Sequence, residues 1–454
     1  MRLPHGGAAG SRLTLKPAPL SVTLALLGII VATCLFGMEA TGNLTLAPWR
    51  FVFLFAVATA AAGMASWLTF RYGGRQRSVL WVVCVGAILF RAILWPMAPS
   101  LSTDILRYVW DGKVQQVGIN PYQFPPNAPE LASLRDEAIF PGLNHSDWIS
   151  VYPPGAQLLF RAMTWLTSGS VLAIKGIFIL LDLASCGLIV LLLRRHGMDP
   201  GRVILYAWHP LVLVELAGSG HLESVVIPLI LGALLLGLEG RVTAAGLLLG
   251  IGGALKLYPL LLLPAVVGRR PWRPLLAAAS VMVASALPFL PGPVAPLGAV
   301  HRLMREEWFN PGIRLWIERG FEILGMDPGS TVRWALLVAM GLIGVAVWVR
   351  GPLSLVKRAL WMLGAHLLLI PNLFSWYVVS IIPLLCLTPI WPWLWLSAAV
   401  ALSYLFFAQI PWSVPVWVMA IEFVPLWAGL LMVGWQSRSW LPAFGAAPTG
   451  RTEA

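Results

Sequence analysis

Long apolar runs dominate the chain. They fall at residues 19–38, 48–70, 78–97, 171–193, 203–219, 222–238, 242–255, 257–268, 274–292, 332–349, 359–372, 376–390, 391–409 and 414–434. The runs are continuous rather than alternating, which predicts helices and not the strands of a transmembrane barrel. About 14 crossings follow, although several runs are shorter than the roughly 20 residues that a straight span needs. Two stretches are interrupted, 242–268 by "KLYP" and 359–390 by "PNLFSWY". Breaks at membrane depth are tolerated where they line a cavity or an interface, so both mark places for a site.

One long polar tract, 98–152, separates the third and fourth runs. In it Asp104, Arg107, Tyr108 and Asp111 recur at i, i+3, i+4 and i+7. That spacing predicts a helix over 103–117 with these residues and Gln115 on one face. Leu106, Val109, Trp110, Val114 and Val117 form the apolar face, expected to rest on the bilayer, and Thr103 is placed to cap the helix. A second polar tract, 293–331, carries a periodic set Ile313, Trp316, Ile317 and Phe321, which predicts a helix lying on the membrane surface.

Composition agrees. Only 11% of residues are charged, 58% are hydrophobic and the mean hydropathy is +0.80. A soluble domain carries roughly a quarter charged residues. The chain therefore reads as an all-α polytopic integral membrane protein in a single domain, 1–454, without internal repeats. Its first outer loop is taken as 98–170 and its second outer loop as 293–331. The net charge of +12 would suggest nucleic acid in a soluble protein, but here the basic residues sit in short loops between apolar runs. With the N-terminus inside, the inside segments hold 18 of the 31 Lys and Arg and only 3 of the 19 acids. Both termini are then cytoplasmic, the first run is a retained signal anchor, and 98–152 faces outward. Cys34, Cys84, Cys186 and Cys386 all lie in apolar runs and read as free buried thiols.

The candidate chemistry follows the polar interruptions. Asp104 is a carboxylate at the membrane–water boundary, able to take a proton from a hydroxyl nucleophile; the same spacing equally suits a solvated surface helix. "GHLES" offers His221 and Glu223 at a turn between two runs, and His221 is able to donate to a phosphate or to relay a proton. Lys256 in "KLYP" is a cation in an apolar run, either snorkelling or placed for a lipid phosphate, with Tyr258 beside it. Asn372, Trp376 and Tyr377 in "PNLFSWY" and Glu306, Glu307, Trp308 and Asn310 in "EEWFNPG" read as belt residues or as a sugar-stacking wall. Arg91, Asp182, Glu215 and Glu422 lie inside runs and are expected to pair internally. No spacing matches a zinc or calcium site. The triplets "NLT" at 43 and "NHS" at 144 match glycosylation acceptors but recur by chance.

The ordered motifs "TDILRYVWDGKVQQVGINPY", "VYPPGAQLLF", "LLDLASCGLIVLLLRR", "GHLESVVIPLILGALLLG" and "GLLLGIGGALKLYPLLLLPA" resemble those of GT-C fold glycosyltransferases. The group resembled is the one that uses polyprenyl-phosphate mannose, bacterial alpha-mannosyltransferases and the transferase of the first mannose of glycosylphosphatidylinositol among them. The resemblance covers roughly 78–270 and implies a GT-C fold of about 12–14 membrane helices with a large first catalytic outer loop. It also implies a catalytic acid at Asp104, with Asp111 and Arg107 as helpers. Where some relatives carry an Asp-x-Asp pair, Ser102 stands here, which leaves Asp104 as a lone base without metal. The family's Gly-x-x-Pro-Tyr turn maps to Gly118–Tyr122 and its Tyr-x-Pro element to Tyr152–Pro154. Lys256, His221 and Tyr258 are implied as donor-phosphate contacts. Tyr108, Tyr122, Tyr152, Glu223, Asn310, Trp376 and Tyr377 are expected to line the cavity. The implied partners are a polyprenyl-phosphate sugar donor, a glycan or glycolipid acceptor and membrane lipids, with no cofactor and no nucleic acid. The implied reaction is inverting transfer of a hexose on the outer face of the membrane; the Ala-, Gly-, Pro-, Arg- and Leu-rich composition points to a bacterium and hence to its plasma membrane. A lipid or sugar transporter or flippase, or a scaffold, is the alternative.

Overall fold

The computed structural model describes residues 19–73, 75–266, 271–290, 298–307, 309–325, 329–349 and 354–436. Every regular element among them is helical, which bears out the all-α polytopic reading. Among the described residues seven helices are long and apolar enough to cross a membrane: Leu20–Glu39, Pro48–Tyr72, Arg77–Leu94, Val171–Arg195, Trp272–Phe289, Trp391–Ala408 and Val416–Val433. Their outward side chains are apolar, as with Leu26, Ile29 and Phe36 on the first, because lipid rather than water surrounds them. Pro48 opens its helix at the first turn, where its missing N–H costs nothing.

The runs at 203–219 and 222–238 do not form two straight spans. Short helices Ile204–Ala207 and Pro210–Val212 lead into a π-helical turn, Leu213–Gly218. The chain then bends by 120° into Glu223–Leu238, giving an eighth span if the bent pair counts as one. Gly220 makes the bend possible at φ +75°, and a Cβ there would meet the Ile105 side chain at 2.6 Å. The breaks at "KLYP" and "PNLFSWY" are present: Val242–Leu255 stops at an extended Lys256, and Leu355–Leu369 stops at an extended Ile370. These shorter pieces account for the difference between the expected 12–14 crossings and the seven or eight long spans.

Arg91 and Asp182 pair as expected, with Nε 2.6 Å from Oδ2 and both side chains fully buried. Tyr206 donates to Asp182, and Arg91 donates to the carbonyls of Ala87 and Ala207. Three helical segments are thereby tied together by a charge pair whose hydrogen bonds are all satisfied inside the bundle.

The predicted polar helix forms as Asp104–Gln116. It does not rest on a bilayer: Val109, Trp110 and Val114 are buried, and only Val117 of the predicted apolar face is well exposed. The reason is that a second helix, Pro154–Thr167, packs across it. Thr103 occupies the cap position but makes no capping bond; Ser102 Oγ accepts from the Asp104 N–H instead. The helix predicted in the second polar tract forms as Ile313–Ile323, with Trp316 and Ile323 exposed; the Ile313 side chain lies outside the description.

The loops gather at two ends. Arg75 donates to the Gly197 carbonyl and Arg195 pairs with Glu239, so the loops at 73–77, 196–200 and 239–241 adjoin. At the other end Leu44 bonds Ser100, Arg302 pairs with Asp147, and Asn372 donates to the Glu307 carbonyl.

Candidate active site

A cavity of about 690 Å³ opens at this second end. Its walls come mainly from four parts of the chain: the first polar tract, the second polar tract at 300–309, the break at Lys256, and the break at Phe374–Tyr377 with the aromatic residues around it. Asp104, Arg107, Tyr152, Lys256, Tyr258, Trp376 and Tyr377 all line it.

Asp104 stands at the start of its helix, where the dipole favours negative charge. One carboxylate oxygen accepts from the Asn144 side-chain amide at 3.1 Å. The other lies 3.8 Å from His221 Nδ1. Its side chain keeps 16% of its surface, enough to face a substrate. Burial first, and then the negative charge of Asp104, push the Tyr152 phenol well above its ordinary range, so Tyr152 is a neutral wall residue.

Lys256 Nζ lies 2.5 Å from Glu223 Oε1 and 5.2 Å above the Tyr377 ring. Glu223 is fully buried and Lys256 nearly so. The cation therefore reaches the cavity wall already balanced by a carboxylate behind it. Tyr258 stacks on His366, which also lines the cavity, at 5.5 Å.

Several expected site residues lie elsewhere. Asp111 accepts from Arg107 Nε at 2.8 Å, Ser150 Oγ at 2.6 Å and Gln157 Nε2 at 2.9 Å. It is buried in a network that joins the two packed helices, off the cavity wall. Arg107 touches the cavity, but its guanidinium is spent on Asp111 and on the Trp148 carbonyl. Tyr108 stacks on Phe160 at 4.5 Å in the core rather than facing the cavity. Tyr122 donates to the Tyr152 carbonyl at 2.6 Å and supports that wall from behind. Asn310 donates to Glu422 at 2.6 Å, fastening the second polar tract to helix Val416–Gln436. His221 is fully buried and stacks on Trp376 at 4.2 Å, behind the wall rather than in it. Spacing within one segment says which residues share a face; it does not say which other segment covers that face.

Sequence reasoning passed over Asn144, His145, Trp148 and His366, all on the cavity wall. His145 stacks on Trp148 at 4.1 Å and lies 3.4 Å from Glu307. The first three sit in an irregular loop with no period to betray them. The "NHS" triplet was the only signal, and the Asn144 amide is engaged by Asp104. Trp308 lies outside the described residues.

Comparison with known proteins adds to the geometry. Residues 150–371 match the model of glycosyltransferase family 87. GPI mannosyltransferase 1 of Aspergillus fumigatus is 34% identical over 122 residues, which are 26% of this chain and 28% of that protein. The similarity thus spans little more than a quarter of the relative. The GT-C resemblance read from the motifs is borne out by both. The family match contains His221, Glu223, Lys256 and Tyr258, and begins downstream of Asp104.

Proposed function

We propose that the protein is an inverting glycosyltransferase, an alpha-mannosyltransferase that moves mannose from a polyprenyl-phosphate donor to a glycan or glycolipid acceptor on the non-cytoplasmic face. The observation that carries this is one cavity wall holding both an oriented carboxylate, Asp104, and a cation, Lys256. The mannose assignment rests on the name of the similar fungal protein; the lipid-phosphate donor rests on the motif resemblance.

In this reading Asp104 takes the acceptor hydroxyl proton as the oxygen attacks the anomeric carbon. The bond to the donor phosphate breaks on the opposite face, and the phosphate leaves with the electron pair. Lys256 balances the charge that grows on the departing phosphate, sharing itself between that group and Glu223. Asn144 holds the carboxylate in line. Trp376 and Tyr377 form part of the aromatic wall beside which the sugar sits. Attack opposite the phosphate turns a beta-linked donor into an alpha-linked product. The Ala-, Gly-, Pro- and Arg-rich composition favours a bacterial plasma membrane, with both termini cytoplasmic.

The test offers polyprenyl-phosphate mannose and glucose, radiolabelled, to purified protein in nanodiscs with a lipid and glycan extract as acceptor. Transfer of mannose by the parent is expected. Asp104→Asn should lose about 100-fold or more, the range for removing a general base. Undiminished transfer by a folded Asp104→Asn protein sinks the reading.

A further inference from the structure

Behind Asp104 lies a group to which transfer chemistry as outlined gives no part. Glu215 sits on the π-helical turn Leu213–Gly218 and is fully buried. Its Oε1 accepts from Ser375 Oγ and from the Tyr404 hydroxyl, both at 2.7 Å. Its Oε2 has no hydrogen-bond partner, and lies 3.3 Å from His221 Nε2. His221 is equally buried, and its other ring nitrogen is the one 3.8 Å from Asp104. Neither imidazole nitrogen makes a hydrogen bond at rest.

A carboxylate taken out of water is costly unless a cation or hydrogen bonds compensate it. Two hydroxyls serve one oxygen of Glu215; the other lies beside a ring able to become a cation. The backbone holds this juxtaposition: the His221 N–H donates to the Glu215 carbonyl at 3.1 Å, and Gly220 lets the turn lie against Ile105, next to Asp104. π-turns within helices recur at functional sites, where one extra residue re-aims a side chain.

We infer that Asp104, His221 and Glu215 form a carboxylate–imidazole–carboxylate relay in which the two buried residues position Asp104 and take over its proton. The inference rests on the glycosyltransferase reading. The acceptor O–H bond breaks as the new C–O bond forms, and its proton passes to Asp104. From there it moves to His221 Nδ1, and the Nε2–H of the resulting imidazolium is held by Glu215. Asp104 is thereby returned to its anionic form while the phosphate departs with its electron pair. Once product has left, the proton returns through Asp104 to the open cavity. His221 and Glu215 touch no substrate and act through Asp104 alone.

The test measures kcat and donor KM for the parent, Asp104→Asn, Glu215→Gln, His221→Gln and the Glu215→Gln/His221→Gln double variant, each normalised to folded protein. Glu215→Gln keeps the shape and an acceptor oxygen for Ser375 and Tyr404. It is expected to lower kcat about 10- to 100-fold with donor KM within about twofold. The double variant should lose no more than the worse single one, as groups acting in series do. Should Glu215→Gln fail to fold, Tyr404→Phe, which removes one hydroxyl from Glu215, should lower kcat by about 3- to 10-fold. A purely structural role lowers the yield of folded protein and leaves kcat at the parental value; that result overturns the relay and leaves the transferase reading standing. A parent without transfer, or an Asp104→Asn variant with parental transfer, overturns the transferase reading and the relay with it.

Discussion

Lys256 shows what a single residue position has to reconcile. A lone cation in an apolar run stands out in the sequence because its burial is costly. The structure supplies the partner that the sequence left open, Glu223 at 2.5 Å. Removing the cation alone leaves a buried carboxylate uncompensated, which costs about 3–5 kcal/mol. Lys256→Met is therefore expected to lose both stability and transfer. Glu223→Gln combined with Lys256→Met should recover the melting midpoint but not the activity, because the phosphate still lacks its counter-charge. Paired thermal and transfer measurements decide this; recovery of activity in the double variant would exclude Lys256 from the chemistry. Asp104, Lys256, Tyr258, Trp376 and Tyr377 were legible for the same reason: each is polar or aromatic at an interruption in an apolar run. Asp111, Tyr108 and His221 were legible as polar or aromatic positions but not as buried ones. What buries them, Gln157, Phe160 and Trp376, comes from other segments.

At the scale of elements, the site depends on how closely helix Asp104–Gln116 lies on Pro154–Thr167. Gly112 permits that approach: a Cβ there would meet Thr164 Oγ1 at 2.1 Å and the Phe160 carbonyl at 2.6 Å. The carbonyl is backbone and cannot rotate away. Gly112→Ala should thus cost about 1–3 kcal/mol by overpacking, read as a lower melting midpoint with reduced transfer. Gly63→Ala, where a Cβ meets nothing within 4 Å, is the control and should not destabilise. The same helix is pinned to its loop by Lys113 and Asp136, 2.5 Å apart. Partial burial acts to raise the Asp136 carboxyl, but Lys113 and the N–H groups of Ile139 and Ala138 outweigh it and hold the group below its ordinary value of 3.8. A carboxyl lowered on folding adds stability above its unfolded value and loses it as pH falls through the folded one. Asp136→Asn should therefore be slightly less stable than the parent at neutral pH, by less than about 1 kcal/mol at this part-exposed site. The gap should close below pH ~4. A gap that persists unchanged in acid would assign the effect to something other than this charge. The helix itself was predictable from its period; its covering was not, because the period of one amphipathic segment is silent about a second one fifty residues on.

For the whole molecule, the grouping of loops at two ends turns a count of charges into a geometric statement. The loops at 73–77, 196–200 and 239–241 adjoin one another, and they belong to the segments that hold most of the basic residues. The acid-rich tracts adjoin one another around the cavity at the other end. Basic loops are retained in the cytoplasm, so the distribution of charge predicts that the cavity opens to the outside. The prediction can be checked in intact cells with a membrane-impermeant maleimide. In a background with the four native cysteines replaced, Glu130→Cys, in the first polar tract, should label at once. Arg241→Cys, exposed in a basic loop, should label only after the membrane is permeabilised. The reverse pattern would put the cavity in the cytoplasm. A donor carried on the outer leaflet would then be out of reach, and the substrate would have to be a sugar phosphate presented from inside. Orientation is thus the property on which the donor class turns, and it can be measured without knowing the acceptor.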